Sequence, residues 1–266
     1  MQASSGSNSN LTNVTVLVTR PQHQAAPFCQ MVEAAGGRAI RFPVIVIEAI
    51  PLADEQQQAL QSPADKLIFI SANAVRLGLP LLQQTAPQLL AQSQIIAIGQ
   101  ATASQLGEMG HAPQLIPPSP YNSEALLAIA EMQDCNDQHV VIIKGRGGRG
   151  YLKEQLLQRG ANVIEIETYV RNKPAGNIAM LERFIGSEQA VVSITSVKGL
   201  HYLFEMANAE QAGWLRRQAH FLVPGTRVAD AVKDLHVTHA PRIAENACDE
   251  VMFNALCAAY GSSQAG

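Results

Sequence analysis

The chain repeats itself at a spacing of about 125 residues, and a repeat of that length constrains the fold more than any single motif does. Residues 140–171, VVIIKGRGGRGYLKEQLLQRGANVIEIETYVR, read as a strand, a glycine-rich basic turn, an amphipathic helix and a second strand. The β-branched run VVII suits a strand covered on both faces. Leu152, Leu156 and Leu157 recur at helical spacing, and Gly160 follows where a left-handed residue usually ends a helix. In the second strand Ile164, Ile166 and Thr168 alternate with Glu165, Glu167 and Tyr169, which gives it one polar face and sets Tyr169 on the glutamate side.

Residues 14–50 follow the same plan: VTVLVTRP, a helix, then GGRAIRFPVIVIEAI. Val18 aligns with Ile143, Gly36 with Gly160 and Ile40 with Ile164. Further on, LIFISANAV (67–75) answers VVSITSVKGL (191–200), setting Ser71 opposite Ser196. IIAIGQATA (95–103) answers FLVPGTRVA (221–229), setting Gly99 opposite Gly225. Such a period means two copies of a domain, not a solenoid, and a pseudo-twofold protein has its natural binding site between the copies. Strands alternating with helices imply parallel sheets with helices on both faces. Pro43 restricts the strand at residues 40–47 to an edge or a connector.

Composition narrows the function classes. With 47% hydrophobic and 15% charged residues and a formal net charge of −3, nothing points to nucleic acid or a membrane surface, so any anion site is local. No apolar run approaches the ~18 residues of a membrane span. Cys29, Cys135, Cys248 and Cys257 form no CxxC or Cys/His cluster and read as reduced cytosolic thiols. His236 and His239 are three apart but lack further ligands, so no metal site is expected. Residues 1–13 are Ser/Asn-rich without a basic start and apolar core, which reads as a disordered leader and not a signal peptide; residues 261–266 read as a frayed tail.

In parallel α/β domains the C-terminal strand ends carry the ligand site. Here those ends hold Thr19 and Arg20; Ser71; Gly99 to Thr102; Lys144 to Gly150; Thr195, Ser196 and Lys198; and Gly225, Thr226 and Arg227. They are small, hydroxylated, glycine-rich or cationic. Each precedes a helix and so offers free backbone N–H groups and a positive dipole end. Six such ends suit a ligand with several negative groups, although any one Ser or Thr there serves equally as a helix cap. Tyr169 adds a phenol that can donate or accept a proton and hydrogen-bond a leaving oxygen; its alternative role is to fill the domain junction. Gly145, Gly147 and Gly150 satisfy G-x-G-x-x-G, with Glu165 or Glu167 at the distance of a ribose-binding acid. Against a dinucleotide site stand Arg146 and Arg149 in the loop and the other copy, Thr19, Arg20 and Pro21, which has no glycines. Walker A, HExxH and G-x-S-x-G motifs are absent.

Taken together, VLVTRP, FPVIVIE, LIFISANAV, IIAIGQATA, GANVIEIETYVR, ITSVKGL and VPGTRVAD, in this order and spacing across residues 14–259, resemble the uroporphyrinogen-III synthases. The resemblance implies an α/β fold of two similar domains, each a parallel sheet flanked by helices, joined by a two-stranded β-ladder. It implies that the chain crosses over, with 1–44 and 174–266 in one domain and 45–173 in the other, the ladder being 40–47 and 163–171. It implies a cofactor-independent lyase, cytoplasmic and monomeric. The substrate would be hydroxymethylbilane, a linear tetrapyrrole with eight carboxylates, handed over by hydroxymethylbilane synthase. In the inter-domain cleft it would lose water to an azafulvene, pass through a spiro intermediate at ring D, and close as uroporphyrinogen III with that ring reversed. Tyr169 matches the family's cleft tyrosine and would assist departure of the hydroxyl. Thr102 matches a cleft threonine, and Ser71 and Ser196 match strand-end serines. After Ser71 many relatives have proline and a cation, where this chain has Ala72 and Asn73. Two other readings predict different behaviour: a two-lobed anion-binding protein would show no turnover, and an NAD(P)-dependent oxidoreductase would lose its cofactor on Gly147→Ala.

Overall fold

The computed structural model describes residues 9–175 and 178–263. The chain begins with strands β1 (Ser9–Asn10) and β2 (Val14–Val18), helix α1 (Gln22–Ala34), and strands β3 (Arg38–Arg41) and β4 (Val46–Ala49). Next come α2 (Asp54–Ala59), β5 (Lys66–Phe69), α3 (Ala72–Thr85), α4 (Pro87–Gln92), β6 (Gln94–Ala97), α5 (Gln100–Glu108) and α6 (Ser123–Leu127). The repeated unit follows as β7 (His139–Gly145), α7 (Tyr151–Gln158) and β8 (Asn162–Asn172). The chain then forms α8 (Ile178–Phe184), β9 (Gln189–Ser193), α9 (Val197–Met206), α10 (Ala209–Gln218), β10 (His220–Pro224) and α11 (Gly225–Lys233). It closes with β11 (Arg242–Ala244), α12 (Asp249–Tyr260) and β12 (Ser262–Ser263).

Two compact units result, Met1–Val46 with Asn172–Gly266, and Ile47–Arg171. In the first, a five-stranded sheet runs β11-β10-β9-β2-β3 with every pairing parallel. Helices cover both faces. Leu17, Val192, Phe221 and Val223 pack with Leu200, Leu203, Leu215 and Val232 on one side. Val16, Val18 and Leu222 pack with Phe28, Val32, Met252 and Leu256 on the other. The burial of every residue of β2 is thus explained, Thr15 included, since alternate residues meet different helical layers.

The second unit has the order β4-β8-β7-β5-β6, parallel across β8-β7, β7-β5 and β5-β6. Phe69, Val141, Ile143 and Ile166 pack with Leu79 and Leu82 of α3 and Leu106 of α5. Ile68, Ile96 and Ile142 pack with Leu126, Leu152 and Leu156 on the other face. A parallel bridge from Ile96 to Leu115 extends the sheet beyond β6. The arrangement β8-β7-β5-β6 with Leu115 therefore repeats β3-β2-β9-β10-β11, although the strand–helix–strand unit that opens one copy closes the other. Val18 pairs with Arg41 and Ile143 with Ile166, the same register about 125 residues apart. Gly36 at φ 83° and Gly160 at φ 82° make the same left-handed exit from α1 and α7.

The structure departs from the sequence expectations at Pro43 and at the two chain ends. Residues 40–47 are not one strand: β3 stops at Arg41 on the edge of one sheet, and β4 starts at Val46 on the edge of the other, with Pro43 between them. Proline has no N–H to give a ladder, so the chain changes sheets there. The expected disordered leader does not hold for residues 9–13, nor the frayed tail for Ser262 and Ser263, which form β12. Ser9 and Asn10 pair with Ser263 and Ser262, and Leu11 is fully buried beside Val14, Phe28 and Val32. Its backbone N–H donates to Ala35 O at 2.8 Å. Residues 1–8 and 264–266 lie outside the described residues. Among the described residues no helix is long and apolar enough to cross a membrane.

Candidate functional site at the strand ends

Parallel strands bring their C-terminal ends to one edge of each sheet, and the polar residues singled out above lie on those edges. In the second unit Ser71 caps α3, its Oγ accepting from Ala74 N–H at 3.1 Å. The same oxygen lies 3.0 Å from the phenolic oxygen of Tyr169. Gly99 caps α5, where Thr102 is buried and its backbone N–H donates to Gly99 O at 3.1 Å. Tyr121, exposed and at φ 55°, overlies Gly99: a Cβ built on that glycine would be 3.1 Å from Tyr121 Cβ.

Tyr169 is not on the polar face that simple alternation gave it. Along β7 and β8 the register runs Ile143 with Ile166, Lys144 with Glu167, then Gly145 with Tyr169. One extra residue, Thr168, is accommodated as a bulge, which breaks the two-residue alternation. Tyr169 thereby joins Ile143 and Ile166 in the core and has no exposed surface. Its ring lies on Gly145, where a Cβ would come within 2.4 Å of Cζ. Arg171, which sequence reasoning missed, donates from Nη2 to the phenolic oxygen at 2.7 Å, with its guanidinium carbon 5.0 Å from the ring centroid. The available signal was a cation two positions along the strand, where side chains return to one face.

The glycine-rich loop is occupied by its own acids. Lys144 is buried and pairs with Glu165 at 2.8 Å. Arg146 Nε donates to Glu167 at 3.0 Å, and the Gly147 N–H reaches the same carboxylate at 3.4 Å. Arg149 pairs with Glu124 at 2.8 Å, an exposed contact that holds the glutamate below the usual carboxylate range. The acids that a ribose would need and a loop N–H that a pyrophosphate would need are thus already engaged, which removes the geometric basis for a dinucleotide site.

In the first unit Ser196 caps α9 as Ser71 caps α3, accepting from Gly199 N–H at 3.0 Å. Replacing Ser196 by Ala should cost about 1 kcal/mol in a urea titration, and by Gly only a few tenths. Thr195 is half-buried and Lys198 exposed, its ammonium 5.3 Å over the Tyr202 ring. Gly225, Thr226 and Arg227 form the first turn of α11, with Thr226 and Arg227 exposed. Thr19 and Arg20 behave otherwise. Thr19 is buried and donates from Oγ1 to Ser193 O at 2.6 Å. Arg20 is buried, ion-paired with Asp249, and donates from Nη2 to Ala247 O at 2.8 Å. Both side chains hold the end of β2, and Arg20 Nε is left without a partner.

Helices α3, α5, α9 and α11, which start directly at strand ends, have no acidic residue in their first turn. Helices α1, α4 and α8 lack one too, whereas α2, α6, α7, α10 and α12 each have at least one. Elsewhere, burial pushes the Cys29 and Cys135 thiols up, away from reactive thiolate. His220 stacks on His239 with ring centroids 4.1 Å apart, and burial, with the neighbouring His239 and Arg242 charges, lowers its pKa. Among the described residues no group of three His, Cys, Asp or Glu could hold a metal ion.

The family model HEM4, described as uroporphyrinogen-III synthase HemD, matches residues 27–253. The chain is 28% identical over 250 residues to the uroporphyrinogen-III synthase of Escherichia coli K12, covering 91% of this chain and 100% of that one. It is 33% identical over 164 residues to that of Proteus mirabilis, covering 59% and 80%. To that of Chlorobaculum parvum it is 32% identical over 166 residues, a match spanning 60% of this chain and 65% of that relative. Among solved structures, a Thermus thermophilus uroporphyrinogen III synthase mutant superposes with a TM-score of 0.60 at 20% identity, covering 92% of this chain and 98% of that one. The Helicobacter pylori uroporphyrinogen-III synthetase gives 0.61 at 15% identity, covering 92% and 99%. At those identities the structural likeness is one of fold.

Proposed function

The chain belongs to the uroporphyrinogen-III synthase family, and from that premise we propose that it converts hydroxymethylbilane into uroporphyrinogen III. The observation that carries the binding half is the acid-free first turn of α3, α5, α9 and α11. A substrate with eight carboxylates needs many weak anion sites and no single strong one. Each helix start contributes about 0.3–1 kcal/mol toward a nearby carboxylate, and its unpaired N–H groups supply the donors. We assign carboxylate contacts to the start of α3 through its backbone N–H groups, to the Gly99–Thr102 turn likewise, to Thr195, Ser196 and Lys198, and to Gly225, Thr226 and Arg227. Thr19 and Arg20 stiffen the strand end beside them.

The reaction begins when the substrate hydroxyl departs as water, leaving an azafulvene. Its electrophilic carbon is attacked by the substituted carbon of ring D, giving a spiro intermediate. This fragments and recloses with ring D reversed. Free in water the same azafulvene closes at the unsubstituted end of ring D, so what the protein must supply is geometry. Holding the reacting carbons together is the entropic effect worth most in such reactions. Tyr169 assists hydroxyl departure. We place the enzyme in the cytoplasm as a monomer that receives its substrate from hydroxymethylbilane synthase; the buried Cys29 and Cys135, joined in no disulfide, fit a reducing compartment.

The test is a coupled assay with hydroxymethylbilane generated in situ and the product isomers separated by chromatography. The type III isomer should predominate with no cofactor added, and calorimetric titration with NAD(P) should show no saturable binding. Persistence of the type I isomer would overturn the assignment.

A further inference from the structure

We propose that Ser71 is the group that hands a proton to the departing hydroxyl, with Tyr169 and Arg171 as positioning residues behind it; this rests on the ring-closing activity proposed above. The polarity of the chain of hydrogen bonds carries the argument. Arg171 Nη2 sits 2.7 Å from the Tyr169 phenolic oxygen, and a guanidinium can only donate. The phenol therefore accepts from Arg171. Its own hydrogen needs an acceptor, because the side chain is wholly buried. Ser71 Oγ, 3.0 Å away, fills that need. Ser71 Oγ also accepts the Ala74 N–H at 3.1 Å. With both lone pairs taken, the serine hydroxyl is left as a donor only; Ser71 and Arg171 are both part-exposed, with the buried Tyr169 between them. The buried Tyr169 has no exposed atom with which to meet a substrate. Arg171, Tyr169 and Ser71 thus form a relay with a fixed direction, from the guanidinium through the phenol to the serine hydroxyl, in which each bond polarises the next.

The proton balance closes without any further reagent. The substrate C–O bond breaks with its electron pair going to oxygen, while the pyrrole nitrogen lone pair forms the new double bond. The Ser71 Oγ proton passes to the leaving oxygen, and water departs. The Tyr169 proton moves to Ser71 Oγ, and the resulting phenolate is held against the Arg171 guanidinium, which keeps its charge. Ring closure later releases one proton from a pyrrole carbon, and this returns through Ser71 to the phenolate.

The experiment is a double-mutant cycle of single-turnover rates on hydroxymethylbilane, using Ser71→Gly, Tyr169→Phe and both together. Glycine removes the hydroxyl while costing the helix cap little. A relay acts as a unit, so each single change should lower the rate by about 10–100-fold, and the double variant should be no slower than Ser71→Gly. Apparent substrate affinity should stay within about twofold, and Ser71→Thr should restore most of the rate. A mild Ser71→Gly with a severe Tyr169→Phe, multiplying in the double variant, would overturn the relay and make Tyr169 a direct contact. Should Ser71→Gly fail to fold by circular dichroism, Tyr169→Phe with Arg171→Met gives an independent cycle: equal losses that do not multiply support the relay, and multiplying losses overturn it. Failure of the proposed activity is seen separately, as absence of the type III isomer with the unmodified protein.

Discussion

Gly145→Ala should cut type III formation by about 100-fold and leave the type I isomer as the main product. The added Cβ would stand 2.4 Å from Tyr169 Cζ and 2.5 Å from Cε2, two contacts that ordinary packing does not allow, and 3.0 Å from Cδ2. The ring cannot simply turn away. It is fully buried among Ile143, Ile166 and the α3 residues, and the strand beneath it is pinned by Arg146 N–H donating to Tyr169 O at 2.7 Å. The methyl group must therefore push the ring, and with it the phenolic oxygen, away from Ser71 and Arg171. Overpacking of this kind costs about 1–3 kcal/mol, which the fold survives. The activity loss is larger because the hydrogen-bond chain breaks at both ends. Gly148→Ala is the control. Nothing lies within 4 Å of its Cβ position, and the penalty is backbone strain at φ 91°, so stability should fall by about 1 kcal/mol or more while turnover of the folded protein is kept. A Gly145→Ala protein with full turnover would show that Tyr169 has no part in the chemistry.

The same bulge marks where the sequence stops being legible. The repeat, its two parallel sheets and the matching of Ser71 with Ser196 follow from apolar periodicity and spacing, because burial on both faces leaves strands few alternatives. Pro43 announced the change of sheet. The position of Tyr169 could not be read this way, since one extra residue in β8 reverses which side its side chain takes, and only the pairing with β7 reveals it. Arg20 and Thr19 look like anion ligands from their place after β2, yet they are claimed by Asp249 and Ser193, residues more than 170 positions away that no local pattern connects to them. Leu11 sits in a polar leader and was hidden by its neighbours' composition; it is ordered because one leucine reaches the core. The glycine-rich loop shows the opposite error. Its spacing fits a known fingerprint, but Glu165 and Glu167 sit beside their own cations.

Asp249→Ala should destabilise the fold by about 2–3 kcal/mol, more than Arg20→Met, which should cost about 1 kcal/mol. Arg20 is the buried member of the pair, its side chain 9% exposed against 26% for Asp249. Besides the aspartate, its guanidinium meets Ala247 O and lies 5.4 Å from the Phe28 ring centroid, while Nε has no partner. Removing Asp249 leaves that cation buried with one neutral acceptor, the costly way to break an ion pair; the aspartate's partial exposure admits water and brings the expected loss below the ~3–5 kcal/mol of a fully buried case. Asp249 also lies in the first turn of α12, where its charge is favourable, so the helix start loses as well. Methionine at position 20 removes the charge but keeps an unbranched chain over Phe28, so no unpaired cation remains. Urea midpoints of the two variants decide the order. The turnover of Arg20→Met, measured on the folded protein, decides the role: retained type III formation places Arg20 in the scaffold, as its contacts require, whereas a large loss with stability kept would return it to the substrate site.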